Sequence, residues 1–428
     1  MKLKNLVYVI ALTITAIVAF IGCIPAQPQS SEVLKSDKQR IASPVIDQYD
    51  LAALVEGNNA FAFELYRTLK DEDNLFFSPY SISLALAMTY AGARGATAQE
   101  MANTLHFALP QERLHPTMNG LDTELSQRGQ GAKGKDEKGF RLNIVNAIWG
   151  QKDYRFLTEF LDTLALNYGA GLRTLDFMAA PEPSRITINN WVSDQTEDRI
   201  KDLIPQGAID TLTRLVLTNA IYFNAAWQYP FQKDATQQGT FHPLDGRDVT
   251  VPMMRETESL RYSEGNGYQA IELPYDGREL SMLILLPQTG QFEAFEKSLD
   301  AEQANDIIQA LSQKQIALTM PKFEFTSGFS VKEALAAMGM ANAFTDSADF
   351  SGMTGKRDLY ISDVIHKAFV SVDEAGTEAA AATAVIMRLT SAPASAIEIT
   401  VDRPFIFLIR DNGTGTILFI GRVLNPVA

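Results

Sequence analysis

Between two segments dense in β-branched and aromatic residues, this chain carries a stretch made almost entirely of small side chains, Asp373 to Val385. Upstream, Leu359 to Val372 contains Ile361, Val364, Ile365, Phe369 and Val370, and downstream Ile397 to Ile409 is equally strand-like. Whatever fold forms must put both flanks in sheet and leave the joining stretch as a long loop. Ala379 to Ala382 offers little bulk to hold a packed position, and Gly376 supplies a backbone swivel ahead of it. At period two, Thr377, Ala379, Ala381, Thr383, Val385 and Met387 share a face without charge. The opposite face holds Glu378, Ala380, Ala382, Ala384, Ile386 and Arg388. A segment that can be exposed in one state and a buried strand in another is a switch. The bait for a partner would lie just beyond, in Ile386 to Ala392.

The rest of the chain reads as α+β. Apolar residues recur at helical spacing from Leu51 to Leu69, and a second helix with Ser81 as its N-cap runs from Ser83 to Tyr90. Thr97, with Glu100 at the capping-box position, starts a third helix. Gly129 to Gly139 is a loop, Leu142 to Gly150 a strand, Thr158 to Asn167 a helix, and Ile186 to Leu203 a helix stopped by Pro205. Leu215 to Phe223 is the kind of apolar strand that is buried on both faces. From Gly239 to Leu286 short strands alternate with turns, including a hairpin around Tyr275 to Gly277. Phe292 to Leu311 is helical, Ile316 to Phe325 is a strand, and Gly413 with Gly415 marks a hairpin turn. Helices cluster early and strands late, with no βαβ repeat, so a single large α+β domain is expected.

The N-terminus has the parts of an export signal: Lys2 and Lys4, an apolar run from Leu6 to Ile21, then Gly22 and Cys23, the only cysteine. The run is shorter than a spanning helix requires, and a small residue followed by cysteine resembles a bacterial lipoprotein cleavage site, with Cys23 as the lipidated residue. Residues 1–22 are therefore assigned as signal peptide and residues 23–48, rich in Pro, Gln and Ser, as a flexible tether, leaving 49–428 as the folded domain. A body without cysteine has no disulfides and must be stabilised by packing, for which 46% hydrophobic residues suffice. A net charge of −14 opposes nucleic-acid binding and adhesion to an anionic membrane, leaving a lipid anchor as the only expected membrane contact.

Catalytic and metal chemistry is not legible. The four histidines, His106, His115, His242 and His366, show no metal-ligand spacing, and no Gly-x-Ser-x-Gly elbow or phosphate-binding loop is present. The reading is a non-enzyme with no metal or other cofactor, expected as a monomer.

A series of segments, in order, then narrows the choice. Asn74 to Ser83, Gly92 to Thr97, Leu217 to Phe223 with Trp227, Glu272 to Tyr275, Ser281 with Met282, Met320 to Phe323, His366 to Ala368, the Gly376 hinge, Arg403 to Phe405 and Leu418 to Gly421 together resemble the serpin family, from about Tyr49 to Pro426. The resemblance implies three β-sheets with eight or nine helices and a projecting reactive-centre loop at about 374–396. It also implies inhibition of a serine protease as a suicide substrate. The protease forms an acyl-enzyme at the bait bond, and the freed loop enters the main sheet and disables it.

Site residues follow from the same resemblance. Ser78, Ser81, Asn219 and His366 match a shutter that governs opening of the main sheet. Trp227, Lys322 and Glu374 match the breach at its top, where a surface ion pair alone would be worth roughly 0 to 1 kcal/mol. The hinge is Glu374, Gly376, Thr377, Glu378, Ala379, Ala380, Ala381 and Ala382, with the Thr and small residues found in inhibitory members. An arginine at Thr377 is expected to turn inhibitor into substrate with the native fold intact. The family's usual spacing from Glu374 puts the reactive bond at Thr390–Ser391, which suits an elastase-like or subtilisin-like protease. Leu389 and Arg388 remain alternatives, the former admitting a cysteine protease. A non-inhibitory member acting as carrier or chaperone would have the same body.

Overall fold

The computed structural model describes residues 27–69, 73–134, 139–377 and 396–427. In chain order its strands are β1 (Glu32–Leu34), β2 (Leu75–Phe77), β3 (Arg141–Gln151), β4 (Leu172–Leu175), β5 (Leu215–Ala226), β6 (Gln237–Phe241), β7 (Val249–Gly265) and β8 (Tyr268–Pro274). They continue with β9 (Leu280–Pro287), β10 (Ser312–Pro321), β11 (Phe323–Ser330), β12 (Asp363–Val372), β13 (Gly376–Thr377), β14 (Ile397–Thr400), β15 (Phe405–Asp411) and β16 (Ile417–Val423). The first six helices are α1 (Gln48–Leu69), α2 (Pro79–Tyr90), α3 (Gly95–Thr104), α4 (Gln111–Ser126), α5 (Thr158–Tyr168) and α6 (Pro181–Gln195). The architecture is α+β, as expected.

Seven strands form one sheet in the order β1-β4-β3-β5-β13-β12-β11, and nine form a second network, β14-β10-β7-β8-β9-β15-β16-β2 with β6 on β7. The three sheets implied by the resemblance are thus hydrogen-bonded as two. β7 is long enough to pair with β6 and β10 along most of its length and with β8 at its end, which joins two parts into one network.

β5 shows why the seven-stranded sheet can serve as a mechanical element. Its odd residues Leu215, Leu217, Ile221, Phe223 and Ala225 enter the main core, whereas Val216 and Ala220 enter a second cluster on the other face. That second cluster joins Ile188 and Val192 of α6 to Val145 and Trp149 of β3 and to Ile365 of β12. Helix α6 packs on β3, and the cluster continues from it across the same face of β5 to β12. Below the main face sits α2, buried along its whole length, as a helix apolar all round must be.

Several boundaries differ from those read in sequence. Helix α2 starts at Pro79, not after Ser81: Ser78 is the N-cap, accepting from the Ser81 N–H through its hydroxyl, and Pro79 suits the first helical turn. Glu100 closes no capping box, because its carboxylate is taken by the backbone N–H and side-chain amide of Asn342. Helix α6 stops at Gln195, where the Thr196 hydroxyl bonds the Val192 carbonyl and Glu197 and Asp198 take positive φ. The apolar pattern ran on because Ile200, Leu203 and Ile204 enter the same cluster without being helical. The helix expected over Phe292 to Leu311 is two, Phe292–Ser298 and Ala301–Ala310, the second capped by Asp300. The strand expected over Ile316 to Phe325 is a corner, with β10 in one sheet and β11 in the other.

The residues assigned to the tether are not free of the body. Within 27–47, β1 pairs antiparallel with β4, and Arg40 reaches Asn119 and Asp122 on α4. Gln29 bonds Thr187 and Ser184 on α6, and Ile46 packs against Gly120, where a Cβ would collide with it.

Candidate functional site

A row of polar side chains crosses the middle of the seven-stranded sheet. The register sets Asn146 of β3 opposite Asn219 of β5, and Asn219 opposite His366 of β12. All three face the N-terminus of α2, where Ser78 and Ser81 sit fully buried. The Ser78 N–H donates to His366 Nε2 at 3.4 Å, so Nε2 is the bare nitrogen and Nδ1–H donates to the side-chain oxygen Oδ1 of Asn219. The Asn219 amide donates to Ser81 Oγ and to Asn146 Oδ1, and the Asn146 amide returns to the Ser81 carbonyl at 3.1 Å. Burial lowers His366 to about 3, so the ring is neutral and this circuit is closed without charge.

The circuit links three strands to one helix. Parting β5 from β12 would break it, and each buried group left unpaired costs about 1–3 kcal/mol. Asn146 was not singled out in sequence, although a lone amide within Ile144 to Trp149, an otherwise apolar run, was the available signal.

The two strands are joined directly only in their lower part, where Asp363–Ala368 of β12 runs parallel to Val216–Ile221 of β5. Higher up, β13 lies between them: Thr377 is opposite Ala225 on one side and Val372 on the other. Thr377 is buried toward the main core, its hydroxyl 2.7 Å from that of Tyr275. Gly376 is required by a close approach, since a Cβ would overlap the Ala225 carbonyl. The first hinge residues are thus already part of the sheet. An arginine at Thr377 would disturb the native arrangement as well as any further insertion, which corrects the expectation that the native fold would be untouched.

The turn leading into β13 is held from three directions. Trp227 Nε1–H donates to the Asp373 carbonyl and its N–H to the Ala375 carbonyl, both at 2.9 Å, while its ring stacks on Tyr275 at 4.7 Å. The Phe231 N–H donates to the Glu374 carbonyl at 2.8 Å. The Glu374 carboxylate receives Lys322 Nζ and the Thr236 hydroxyl, each at 2.8 Å. Burial raises the Glu374 carboxyl, but hydrogen bonds from Lys322, the backbone and Thr236 outweigh it and leave the group below its ordinary value. Because Glu374 is only 5% exposed, Lys322–Glu374 is a half-buried clamp rather than a surface pair.

The sequence model of the family described as "Serpin (serine protease inhibitor)" matches residues 56–426. The chain belongs to the serpin family. An uncharacterised serpin-like protein of Thermococcus kodakarensis is 41% identical over 377 residues, covering 87% of this chain and 86% of that one. Human leukocyte elastase inhibitor is 38% identical over 387 residues, 87% of this serpin and 99% of that protein. Among solved structures, tengpin, a thermophilic serpin in its native state, superposes with a TM-score of 0.82 at 29% identity, covering 93% of this chain and all of that one.

In this serpin the structure brings Ser78, Ser81, Asn219 and His366 into one network and Trp227, Lys322 and Glu374 into another, with Gly376 and Thr377 in the sheet between β5 and β12. Glu378, Ala379, Ala380, Ala381 and Ala382, the bait residues Arg388, Leu389, Thr390 and Ser391, and Cys23 lie outside the described residues. Among the described residues no cluster of three or more metal-ligating side chains occurs.

Proposed function

We propose that this serpin inhibits serine proteases by suicide-substrate trapping, with cleavage at Thr390–Ser391 and insertion of the loop between β5 and β12. The observation that carries the reading is β13: Gly376 and Thr377 are already paired with β5, and Thr377 with β12 as well, at the top of a junction whose lower part is closed by only six residue pairs. Continuing that register would move each further loop residue one step back along β5. Ala381 would face Ile221, Thr383 would face Asn219, and Met387 would face Leu215, where β5 begins. A cut at Thr390 leaves enough chain for this strand and a short link to the acylated residue. The odd loop residues, all uncharged, would face the main core like Thr377.

The similarity to leukocyte elastase inhibitor supports an elastase-like target, and a threonine at position 390 suits the modest pocket of an elastase-like or subtilisin-like protease. Incubation with elastase and with subtilisin, followed by a denaturing gel and mass spectrometry of the released C-terminal peptide, tests the proposal. A covalent adduct and a peptide beginning at Ser391 are expected. Cleaved chain without adduct, as a carrier or chaperone would give, would overturn inhibition, and a peptide beginning at Thr390 or Leu389 would move the bond.

We also place the protein outside the cytoplasm, anchored through a lipidated Cys23. Among the described residues no helix is long and apolar enough to cross a membrane. With Gln29 fastened to α6, the link from Cys23 is at most about 20 Å of extended chain, so the body would sit close to the bilayer. Membrane fractionation with a Cys23→Ala control tests this: release of the variant, but not the parent, into the soluble fraction is expected.

A further inference from the structure

A cleft of about 390 Å³ opens beside the hinge, walled by β7, β10 and the segment that follows β5. It has room for roughly a dozen waters. Glu256 and Glu258 are two residues apart on β7, opposite Leu318 and Ile316 of β10, so both carboxylates fall on one face of the strand. Glu256 Oε2 is sealed from solvent and has no hydrogen-bond partner, and no basic residue is paired with either glutamate among the described residues. Burial and then the neighbouring Glu258 push the Glu256 carboxyl up to about 8, and burial raises Glu258 as well. The remaining lining is mixed: Pro230, Ala235 and Leu318 give it an apolar side, Gln232 is polar, and Arg255, Thr257, Ala317 and Thr319 alternate to the other face of the two strands from Glu256 and Glu258.

Two carboxyl groups on one wall and the apolar side formed by Pro230, Ala235 and Leu318 describe the complement of an amphipathic cation. We propose that this cleft binds a small alkyl-guanidinium or alkyl-ammonium ligand, its cationic head against Glu256 and Glu258 and its stem along Pro230, Ala235 and Leu318. A hard metal ion fits less well, because it takes six or more oxygen ligands and leaves such a volume unfilled.

The position gives such a ligand a readout. Thr236 directly follows Ala235, and Lys322 lies three residues beyond Thr319, so two walls of the cleft each lead into a side chain that holds Glu374. A ligand bridging these walls should steady the clamp on the hinge. This coupling rests on the proposed role of the hinge, whereas binding itself does not.

Agmatine is a suitable probe, titrated calorimetrically into the full native chain at pH 7 in two buffers of different ionisation enthalpy. Saturable binding at one site is expected, with release of close to one proton, since the cation converts a neutral Glu256 into a carboxylate. The other titratable groups lining the cleft are Glu258 and Arg255, both on β7; its lining residues on β10 and in the Pro230–Ala235 segment do not titrate. Glu256→Gln should weaken binding at least tenfold and abolish proton release. Ala235→Leu should weaken it with both carboxylates intact, by filling the apolar side of the cleft. In hydrogen exchange, agmatine should slow the Phe231 amide, which donates to Glu374.

No saturation at millimolar agmatine, affinity indifferent to both substitutions, or saturation by calcium but not by agmatine would each overturn the site. Unchanged exchange at Phe231 would overturn the coupling. Failure of the protein to trap any protease would count against the proposed function and leave the calorimetric result standing.

Discussion

Ala381→Arg isolates loop insertion from every contact seen in the native sheet. Position 381 would face Ile221, which is fully buried in the main core, so insertion would carry a guanidinium into apolar surroundings. An unpaired buried charge costs several kcal/mol; taking about 3 kcal/mol as a low figure slows insertion through that residue roughly 150-fold. Trapping competes with deacylation of the same acyl-enzyme. Slowing insertion a hundredfold therefore converts a mostly covalent product into mostly cleaved chain, unless the parent's lead exceeds that factor. Ala380→Arg is the matched control, with the same charge one residue earlier and on the opposite face, next to the natural Glu378. On denaturing gels after incubation with elastase, Ala381→Arg should lose the adduct and Ala380→Arg should retain most of it. Equal adduct from both variants, or equal loss, would refute the register and with it the claim that the loop enters between β5 and β12.

Three further outcomes are expected. His366 and His115 are held neutral, lowered by burial to about 3 and about 4, the latter also by Arg94. Their stabilisation is complete above the unfolded value of about 6.5 and is lost as pH falls toward those folded values, so urea denaturation at pH 5 should show about 2 kcal/mol less stability per histidine than at pH 7. His366→Gln, whatever its effect at pH 7, should remove about half of that slope. Lys322→Met leaves Glu374 buried without its cation and should lower stability by about 1–3 kcal/mol in thermal or urea unfolding; a change within the range of a surface pair would argue against the clamp. Deleting residues 27–44 removes β1 and the Gln29 and Arg40 anchors and should lower the urea midpoint, several hydrogen bonds being lost at about 0.5–1.5 kcal/mol each, whereas a true tether would be dispensable.

What could be read from residues alone was local or carried by a motif. The strands β3 and β5, the helices α1 and α5 and the hairpin of β8 and β9 followed from periodicity and turn chemistry, because burial on one or both faces imposes its repeat on the chain. The identity of the hinge and of the four shutter residues came from the resemblance, and the polar row became a circuit only when the register aligned Asn146, Asn219 and His366 across three strands. The apolar pattern overruns α6 for a complementary reason: Ile200, Leu203 and Ile204 are buried in the same cluster as the helix, and hydrophobicity reports burial, not backbone hydrogen bonding. The Met320 to Phe323 corner was invisible as a corner because both of its arms are strands and only their partners differ.

That residues 377–387 can be loop or strand, with one uncharged face, is legible from the residues alone. Alternation of side chains is a property of the extended backbone and needs no partner. Where that strand has begun to form, with Thr377 already between Ala225 and Val372, and the attachment of residues 27–47 to the body emerge only in the folded chain. Those facts depend on which distant segments meet. Pairing between residues far apart in sequence is decided by the whole packed core and leaves little mark on either segment alone.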